Sequence, residues 1–208
     1  GVPNTSGINI VNNNSVGGPL LDGLSISSST AAEDLNLDGA ICLRNLVTGT
    51  SADALAVQAG IAAVRRTGNL RGKPAIIVQG RTDTLVPVNH ASRPYFGNNR
   101  IVEGSNSKLN YYEVTNAQHF DAFLPALAGY DTRLVPLHRY VLQSLDLMYA
   151  NLKSGAALPP SQVVRTIPRG GNAGQAPAIT AANVPPIQAV PAAANTITFS
   201  ANTVTVPD

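Results

Sequence analysis

Charged side chains are scarce in this sequence. Only 12% of its 208 residues are Asp, Glu, Lys or Arg, about half the share of an ordinary globular protein. The 14 basic and 12 acidic residues leave a net charge of +2, and they form no basic stripe. Proteins that bind nucleic acid neutralise phosphates with clustered Lys and Arg. The composition therefore argues against a nucleic-acid partner.

Cysteine, long apolar runs and metal-binding spacings are also lacking. The single cysteine, Cys42, cannot form an internal disulfide, and its apolar neighbours predict a small buried side chain. The sequence has no run of about eighteen apolar residues, so we expect no membrane-spanning segment. The three histidines, His90, His119 and His138, lack the spacing of a metal-binding helix. We expect neither a metal nor another cofactor.

The middle of the chain alternates strand and helix signals. A β-branched run at 75–78, bounded by proline and glycine, predicts a buried parallel strand, and a second strand is predicted at 109–114. Helices are predicted at 51–66, capped by Ser51 or Thr50, at 88–96 and at 134–153. Such alternation is typical of an α/β layered fold with a mostly parallel sheet.

Both ends of the chain differ from this middle part. Residues 1–50 are rich in loop signals and predict a rim or lid segment of a domain that spans 1–155. Residues 156–208 predict an extended Pro/Ala-rich tail that packs on the same domain. The tail ends in two alternating segments, 196–199 and 203–206, which could pair as edge strands. Because the sequence starts at Gly1 without an initiator Met, we expect a processed or incomplete chain.

Two polar residues follow the predicted strands. Asp83 lies three residues after Gly80, and His119 lies a few residues after the second strand. Since functional side chains of parallel sheets sit at the carboxyl ends of strands, both should lie on one rim of the sheet. An Asp that orients a His is what a nucleophilic triad requires. The structural alternatives are a turn residue for Asp83 and a hydrogen-bonded core histidine for His119.

A matching nucleophile is not found in the sequence. In α/β-hydrolases the chain order is Ser, then Asp or Glu, then His, and the Ser lies on a sharp G-x-S-x-G turn. Neither Ser15 nor Ser25 lies in such a turn, so we expect the nucleophile in an upstream part. Arg81 and Gln118, beside the two candidates, are candidate substrate-binding residues for a carboxylate or carbonyl group. A salt bridge or hydrogen bond within the loops is the alternative.

The motifs around the two candidates resemble those of one family. The segments Gly80–Pro87 (GRTDTLVP) and Asn116–Asp121 (NAQHFD) resemble the D-(-)-3-hydroxybutyrate oligomer hydrolases. The tail segments Leu158–Thr166 (LPPSQVVRT) and Pro168–Gly171 (PRGG) do so as well, and they are the more specific part. The likeness runs through most of the chain and is best from Gly72 to Pro186.

The resemblance implies a fold and an activity. The family consists of serine esterases that cut short D-3-hydroxybutyrate oligomers into monomers, and their chains are longer than this one. It implies the C-terminal half of an α/β-hydrolase fold, with catalytic Asp83 and His119. The partner would be an upstream fragment of the same precursor that carries the nucleophilic Ser. Export from a bacterium, as a secreted or periplasmic protein, is the expected location.

Two other functions remain open at this point. One is a different esterase of the same fold, such as a tannase or feruloyl esterase, because the fold does not determine the substrate. The other is a non-catalytic fragment. A serine elbow upstream would exclude the fragment, and product analysis on a 3-hydroxybutyrate trimer against a gallate ester would separate the two esterases.

Overall fold

Residues 11–208 are described by a computed structural model, so the first ten residues of the expected rim segment, Gly1 included, lie outside the described part. The chain divides into two compact units, Gly1–Arg66 and Thr67–Asp208. The division follows the second helix, and the Pro/Ala-rich tail belongs to the second unit.

The first unit contains a small hairpin and two helices. In chain order its elements are β1 (Val11–Asn12), β2 (Leu20–Leu21), α1 (Leu37–Thr48) and α2 (Ala52–Val64). The strands pair antiparallel. Ser51 caps α2 as predicted, since its hydroxyl oxygen accepts a hydrogen bond of 3.2 Å from the backbone N–H of Ala54.

The prediction of a buried Cys42 is wrong. Cys42 lies on α1 and is exposed, and α1 contains no buried residue. Apolar neighbours in sequence did not enclose it, because along a helix they point in different directions.

A membrane-spanning helix needs sufficient length and hydropathy. No single helix among residues 11–208 combines the length and hydropathy needed to cross a bilayer. Only α1 and α2 taken together have enough length and hydropathy, and the two helices are bent by 68° at the break between them.

A three-stranded parallel sheet forms the centre of the second unit. In chain order its elements are β3 (Ala75–Gly80), α3 (Ser92–Glu103), β4 (Leu109–Val114), α4 (Phe123–Ala126), α5 (Tyr130–Arg133), α6 (His138–Ser154), β5 (Gln162–Val164), β6 (Thr198–Ser200) and β7 (Thr203–Thr205). The strand order is β3–β4–β5. The pairing of β3 with β4 runs in register from Ala75 opposite Leu109 to Gly80 opposite Val114.

Two apolar clusters cover the two faces of this sheet. Successive side chains of a strand point to opposite faces, so Tyr111 and Tyr112 of β4 belong to different clusters. Tyr112 packs with Tyr140 of α6, and Tyr111 packs with Phe96 of α3, whose ring centroid lies 6.0 Å away. A helix therefore packs on each face of the sheet, α6 on one and α3 on the other.

β3 forms one edge of the sheet within the described residues, where it pairs only with β4. Its apolar residues 75–78 are half-buried rather than buried, although Ile76 and Val78 pack on one cluster and Ile77 on the other. The parallel pairing is as predicted, but the burial is less complete. An apolar edge without charged residues is a surface on which a further strand can pair.

The tail contains a strand that the sequence pattern did not predict. Gln162–Val164 is buried and pairs parallel with β4, from Tyr112 opposite Gln162 to Val114 opposite Val164. The final segments pair antiparallel as β6 and β7, as predicted.

Two predicted helices have different boundaries in the structure. α3 begins at Ser92 rather than at 88 and runs on to Glu103. Pro94 then lies in its first turn, where the missing N–H has no partner to lose. α6 begins at His138, so His138 is an exposed first residue instead of an interior one. Gly155 ends α6 with a φ of 75°, as expected for a glycine C-cap.

Candidate active site

The loops that carry Asp83 and His119 leave the sheet side by side. Gly80 ends β3 and lies opposite Val114, which ends β4. Two backbone hydrogen bonds continue the pairing beyond the strands: Arg81 donates to the carbonyl of Val114 at 2.7 Å, and Thr82 donates to that of Ala117 at 3.0 Å. The two loops are thus joined along their first residues.

Gly80 permits this close approach. A Cβ atom at Gly80 would lie 2.2 Å from the carbonyl oxygen of Ala117 and 2.6 Å from the backbone nitrogen of Gln118. Real Cβ atoms essentially never come closer than 3.0 Å to such atoms. Only glycine fits between β3 and the loop that carries the histidine.

Asp83 and His119 form a direct pair on this rim. The Oδ2 atom of Asp83 lies 2.5 Å from the Nδ1 atom of His119, within hydrogen-bonding distance. The Asp83 side chain is 2% exposed and that of His119 is 31% exposed. The pairing expected from their strand-end positions is present, with the carboxylate inside and the imidazole reaching the surface.

The orientation of the Asp83 carboxylate is held by its own loop. Its second oxygen, Oδ1, accepts hydrogen bonds from the backbone N–H groups of Leu85, at 3.0 Å, and Val86, at 2.8 Å. The Val86 carbonyl accepts a further bond from the side-chain amide of Gln79, the residue before Gly80. Both carboxylate oxygens therefore have fixed partners, so Asp83 combines the turn role and the pairing role.

The histidine loop is anchored at both ends. Asn116, at its start, has a φ of 53°, and its amide donates to the Thr166 carbonyl at 3.0 Å. Asp121, at its end, accepts bonds of 2.8 Å from the backbone N–H groups of Leu137 and His138 at the start of α6. An acidic residue there satisfies N–H groups that a helix leaves unpaired.

The imidazole lies against an aromatic neighbour. The ring of Phe120 is 4.0 Å from that of His119, centroid to centroid, and Phe123 follows at 5.1 Å from Phe120. Within the described residues only the Nδ1 atom of His119 makes a hydrogen bond. The Nε2 atom is consequently free to meet a hydroxyl group.

Arg81 and Gln118 have partners within the protein. The guanidinium of Arg81 forms an ion pair with Glu113 and donates to the Pro207 carbonyl at 2.7 Å. The side chain of Gln118 bonds both backbone groups of Phe120. The alternative of contacts within the loops accounts for both residues, and their role toward a substrate stays a prediction.

Glu113 is a residue that the sequence reasoning missed. It lies on β4 with its side chain 0% exposed and accepts hydrogen bonds from Arg81, Arg93 and Tyr111. Burial alone would raise the pKa of this carboxyl, but the bonds from Arg93, Tyr111 and Arg81 outweigh that effect and hold the pKa below its usual value. A Glu inside an apolar strand, with both of its Arg partners earlier in the chain, is the only signal the sequence offered.

The other two histidines lie apart from this arrangement. His90 and His138 are both exposed. Within residues 11–208, no three His, Cys, Asp or Glu residues are grouped so as to hold a metal ion.

Comparisons with known proteins match the sequence to one family. A family model described as 3HB-oligomer hydrolase matches residues 1–208. Proteins named D-(-)-3-hydroxybutyrate oligomer hydrolase are 66% identical over 208 residues in Albidiferax ferrireducens, 64% identical over 208 residues in a Polaromonas species and 57% identical over 210 residues in Cupriavidus necator. All of this chain is covered in each case, but only 29% of the relative. No solved structure matches the chain.

Proposed function

Since this chain belongs to the 3HB-oligomer hydrolase family, we propose that it forms part of a serine-type carboxylic ester hydrolase that cleaves 3-hydroxybutyrate oligomers. In this proposal Asp83 and His119 are two members of the catalytic triad. An upstream part of the same precursor supplies the nucleophilic Ser, and the complete domain has an α/β-hydrolase fold.

The pair of Asp83 and His119 carries this proposal. Its 2.5 Å contact joins a buried carboxylate to the Nδ1 atom of a partly exposed imidazole. In a triad the Asp accepts the Nδ1–H bond, which leaves the Nε2 atom unprotonated and ready to act as a base. The order of Asp before His along the chain also suits an α/β-hydrolase.

The first half of the proposed reaction forms an acyl-enzyme. The Nε2 atom of His119 takes the proton of the serine hydroxyl while the serine oxygen attacks the ester carbonyl carbon. Asp83 stays ionised and stabilises the imidazolium. When the carbon–oxygen bond of the ester breaks, His119 returns the proton to the leaving alkoxide, which departs as the hydroxyl end of one 3-hydroxybutyrate product.

The second half regenerates the enzyme. His119 takes a proton from water as the water oxygen attacks the acyl carbon, and it then returns that proton to the serine oxygen. The acyl group leaves as a carboxylic acid, so one ester bond and one water give one alcohol and one acid. No other reactant is needed.

The substrate class is supported by the relatives. Each of the three named above carries 3-hydroxybutyrate oligomer hydrolase in its name, and all 208 residues here align with them. The chain spans 29% of the length of the Albidiferax relative, and in this proposal the upstream part also contributes to the acyl pocket.

The test uses the complete gene product that contains this chain. We expect it to release monomers from a 3-hydroxybutyrate trimer, to be inactivated by a fluorophosphonate and to hydrolyse a gallate ester far more slowly. Residues 1–208 alone should show no fluorophosphonate-sensitive hydrolysis. Activity of that piece alone, or full activity of the complete protein after Asp83→Asn, would overturn the proposal.

A further inference from the structure

The buried carboxylate of Glu113 binds several side chains near the loop that carries Asp83. Glu113 accepts hydrogen bonds from the Nε atom of Arg81, from Arg93 at 2.8 Å and 2.7 Å, and from the Tyr111 hydroxyl at 2.5 Å. The Ser92 hydroxyl in turn donates to Tyr111 at 2.9 Å. These partners come from three different places: the end of β3, the start of α3 and β4 itself.

The two arginines stand at the two ends of the loop that carries Asp83. Arg81 is the first residue after β3, and Arg93 is the second residue of α3. The chain between them leaves the sheet, places Asp83 against His119 and returns to α3. A single carboxylate therefore fixes both ends of this loop, and it does so from the strand that leads to the histidine loop.

This network is centred on a fully buried carboxylate. The side chain of Glu113 is 0% exposed, and those of Arg81 and Arg93 are 22% and 26% exposed. Charged hydrogen bonds in such surroundings are stronger than those in water. Arg81 also donates to the carbonyl of Pro207, which ties the end of the described chain to the same point.

We propose that Glu113 is a positioning residue, which acts through Arg81 and Arg93 to hold Asp83 at hydrogen-bonding distance from His119. Glu113 touches neither member of the pair, so it has no catalytic role of its own. This inference rests on the proposed function, because it assigns a task to the Asp83–His119 pair.

Three variants of the complete gene product test the inference. Glu113→Gln keeps the shape of the side chain but removes the charge that binds both arginines. Arg81→Gln cuts the link to the Asp83 loop while Glu113 keeps Arg93 and Tyr111 as partners, so the fold should survive. Glu103→Gln is the matched control, since Glu103 bonds Gly72 and Asn99, away from that loop.

The expected result is a loss in kcat with an unchanged KM. A displacement of about 1 Å at a reacting group can cost on the order of 100-fold, so Glu113→Gln should lower kcat by up to about that factor. Arg81→Gln should lower it by a smaller factor, because Arg93 still fixes one end of the loop. Rates are expressed per fluorophosphonate-titrated site, so that loss of folded enzyme is not mistaken for slower chemistry. Glu103→Gln should keep kcat within about twofold.

The double variant Asp83→Asn with Glu113→Gln shows whether Glu113 affects kcat through Asp83 or independently of it. If Glu113 acts only through Asp83, the double variant should be no slower than Asp83→Asn alone. If the fold-loss in kcat of the double variant equalled the product of the two single losses, the inference would be overturned. It also fails if Arg81→Gln raises KM and leaves kcat unchanged, because Arg81 would then bind substrate.

Failure of this inference differs from failure of the proposed function. If Asp83→Asn slows the enzyme but neither Glu113→Gln nor Arg81→Gln lowers kcat per site, only the positioning role is wrong. If Asp83→Asn itself is fully active, the triad is wrong. Should Glu113→Gln yield no folded protein, Arg81→Gln decides alone.

Discussion

Gly80→Ala is a one-methyl change at the contact between the loops that carry Asp83 and His119. The new Cβ atom would lie 2.2 Å from the carbonyl oxygen of Ala117 and 2.3 Å from its carbonyl carbon. Both are backbone atoms, so no side chain can rotate away to make room. The loop that carries His119 must move relative to the end of β3.

The size of that movement follows from the overlap. Carbon–oxygen contacts seldom fall below about 3.3 Å, so the carbonyl of Ala117 must retreat by about 1 Å. His119 lies two residues further on. Its Nδ1 atom, now 2.5 Å from Asp83, would move toward or beyond the limit of a hydrogen bond.

Two losses are expected from this displacement. Overpacking of this kind costs about 1–3 kcal/mol of unfolding free energy. Misplacement of the base by about 1 Å should lower kcat on the order of 100-fold, which is less than the ~10⁴-fold expected for Asp83→Asn.

The assay compares two glycine variants in the complete gene product. kcat and KM are measured on 3-hydroxybutyrate trimer, and stability is measured by urea unfolding. Gly60→Ala is the control, because its Cβ would meet no atom within 4 Å and glycine inside a helix is unfavourable by about 0.5–1 kcal/mol. Gly60→Ala should be fully active and at least as stable as the original protein.

One result would refute this reasoning about Gly80. If Gly80→Ala kept the full kcat together with the original unfolding free energy, the two loops would not be in the tight contact described. A lower stability with an unchanged kcat would mean that the Asp83–His119 pair survives the displacement.

Three further changes have defined outcomes. His119→Ala should lower kcat by about 10⁴- to 10⁶-fold, whereas His90→Ala should change it less than about twofold; equal losses in trimer hydrolysis would contradict the choice of base. Asp121→Ala removes the acceptor at the start of α6 and should lower the free energy of unfolding in urea by about 0.5–2 kcal/mol, and an unchanged value would show that the cap is dispensable. The pKa of Glu113 is held below its ordinary value of 4.5 because bonds from its partners outweigh burial, so its stabilising effect is present above that value and disappears as pH falls through the lowered pKa. The difference in unfolding free energy between the original protein and Glu113→Gln should therefore shrink as the pH falls below 4.5 and through the lowered pKa of Glu113, and a difference that stays constant would refute this.

Local signals were sufficient for several elements. The cap of α2 at Ser51, the strand that begins at Ala75 and the stop of α6 at Gly155 were predicted, because each depends on residues within a few positions of one another. The pairing of Asp83 with His119 was also predictable, since both follow parallel strands whose ends meet at one edge.

The strand β5 and the exposure of Cys42 could not be predicted from residues close to them in the sequence. β5 has three residues between prolines and irregular chain, too short for a periodic pattern, and it becomes a strand because β4 offers a free edge for Gln162–Val164. The exposure of Cys42 depends on what packs on α1, which neighbours in sequence do not determine.

The candidate site shows the same division. The sequence by itself determined which groups could do the chemistry, because a strand followed by Asp and another followed by His can be recognised from a dozen residues. Only the tertiary structure decided that Gly80 must lack a side chain and that Glu113 binds Arg81 and Arg93. Both depend on atoms that are distant in sequence: the carbonyl of Ala117 lies 37 residues beyond Gly80, and Arg81 lies 32 residues before Glu113. Close packing and ion pairing depend on distance in space, which a linear pattern does not specify.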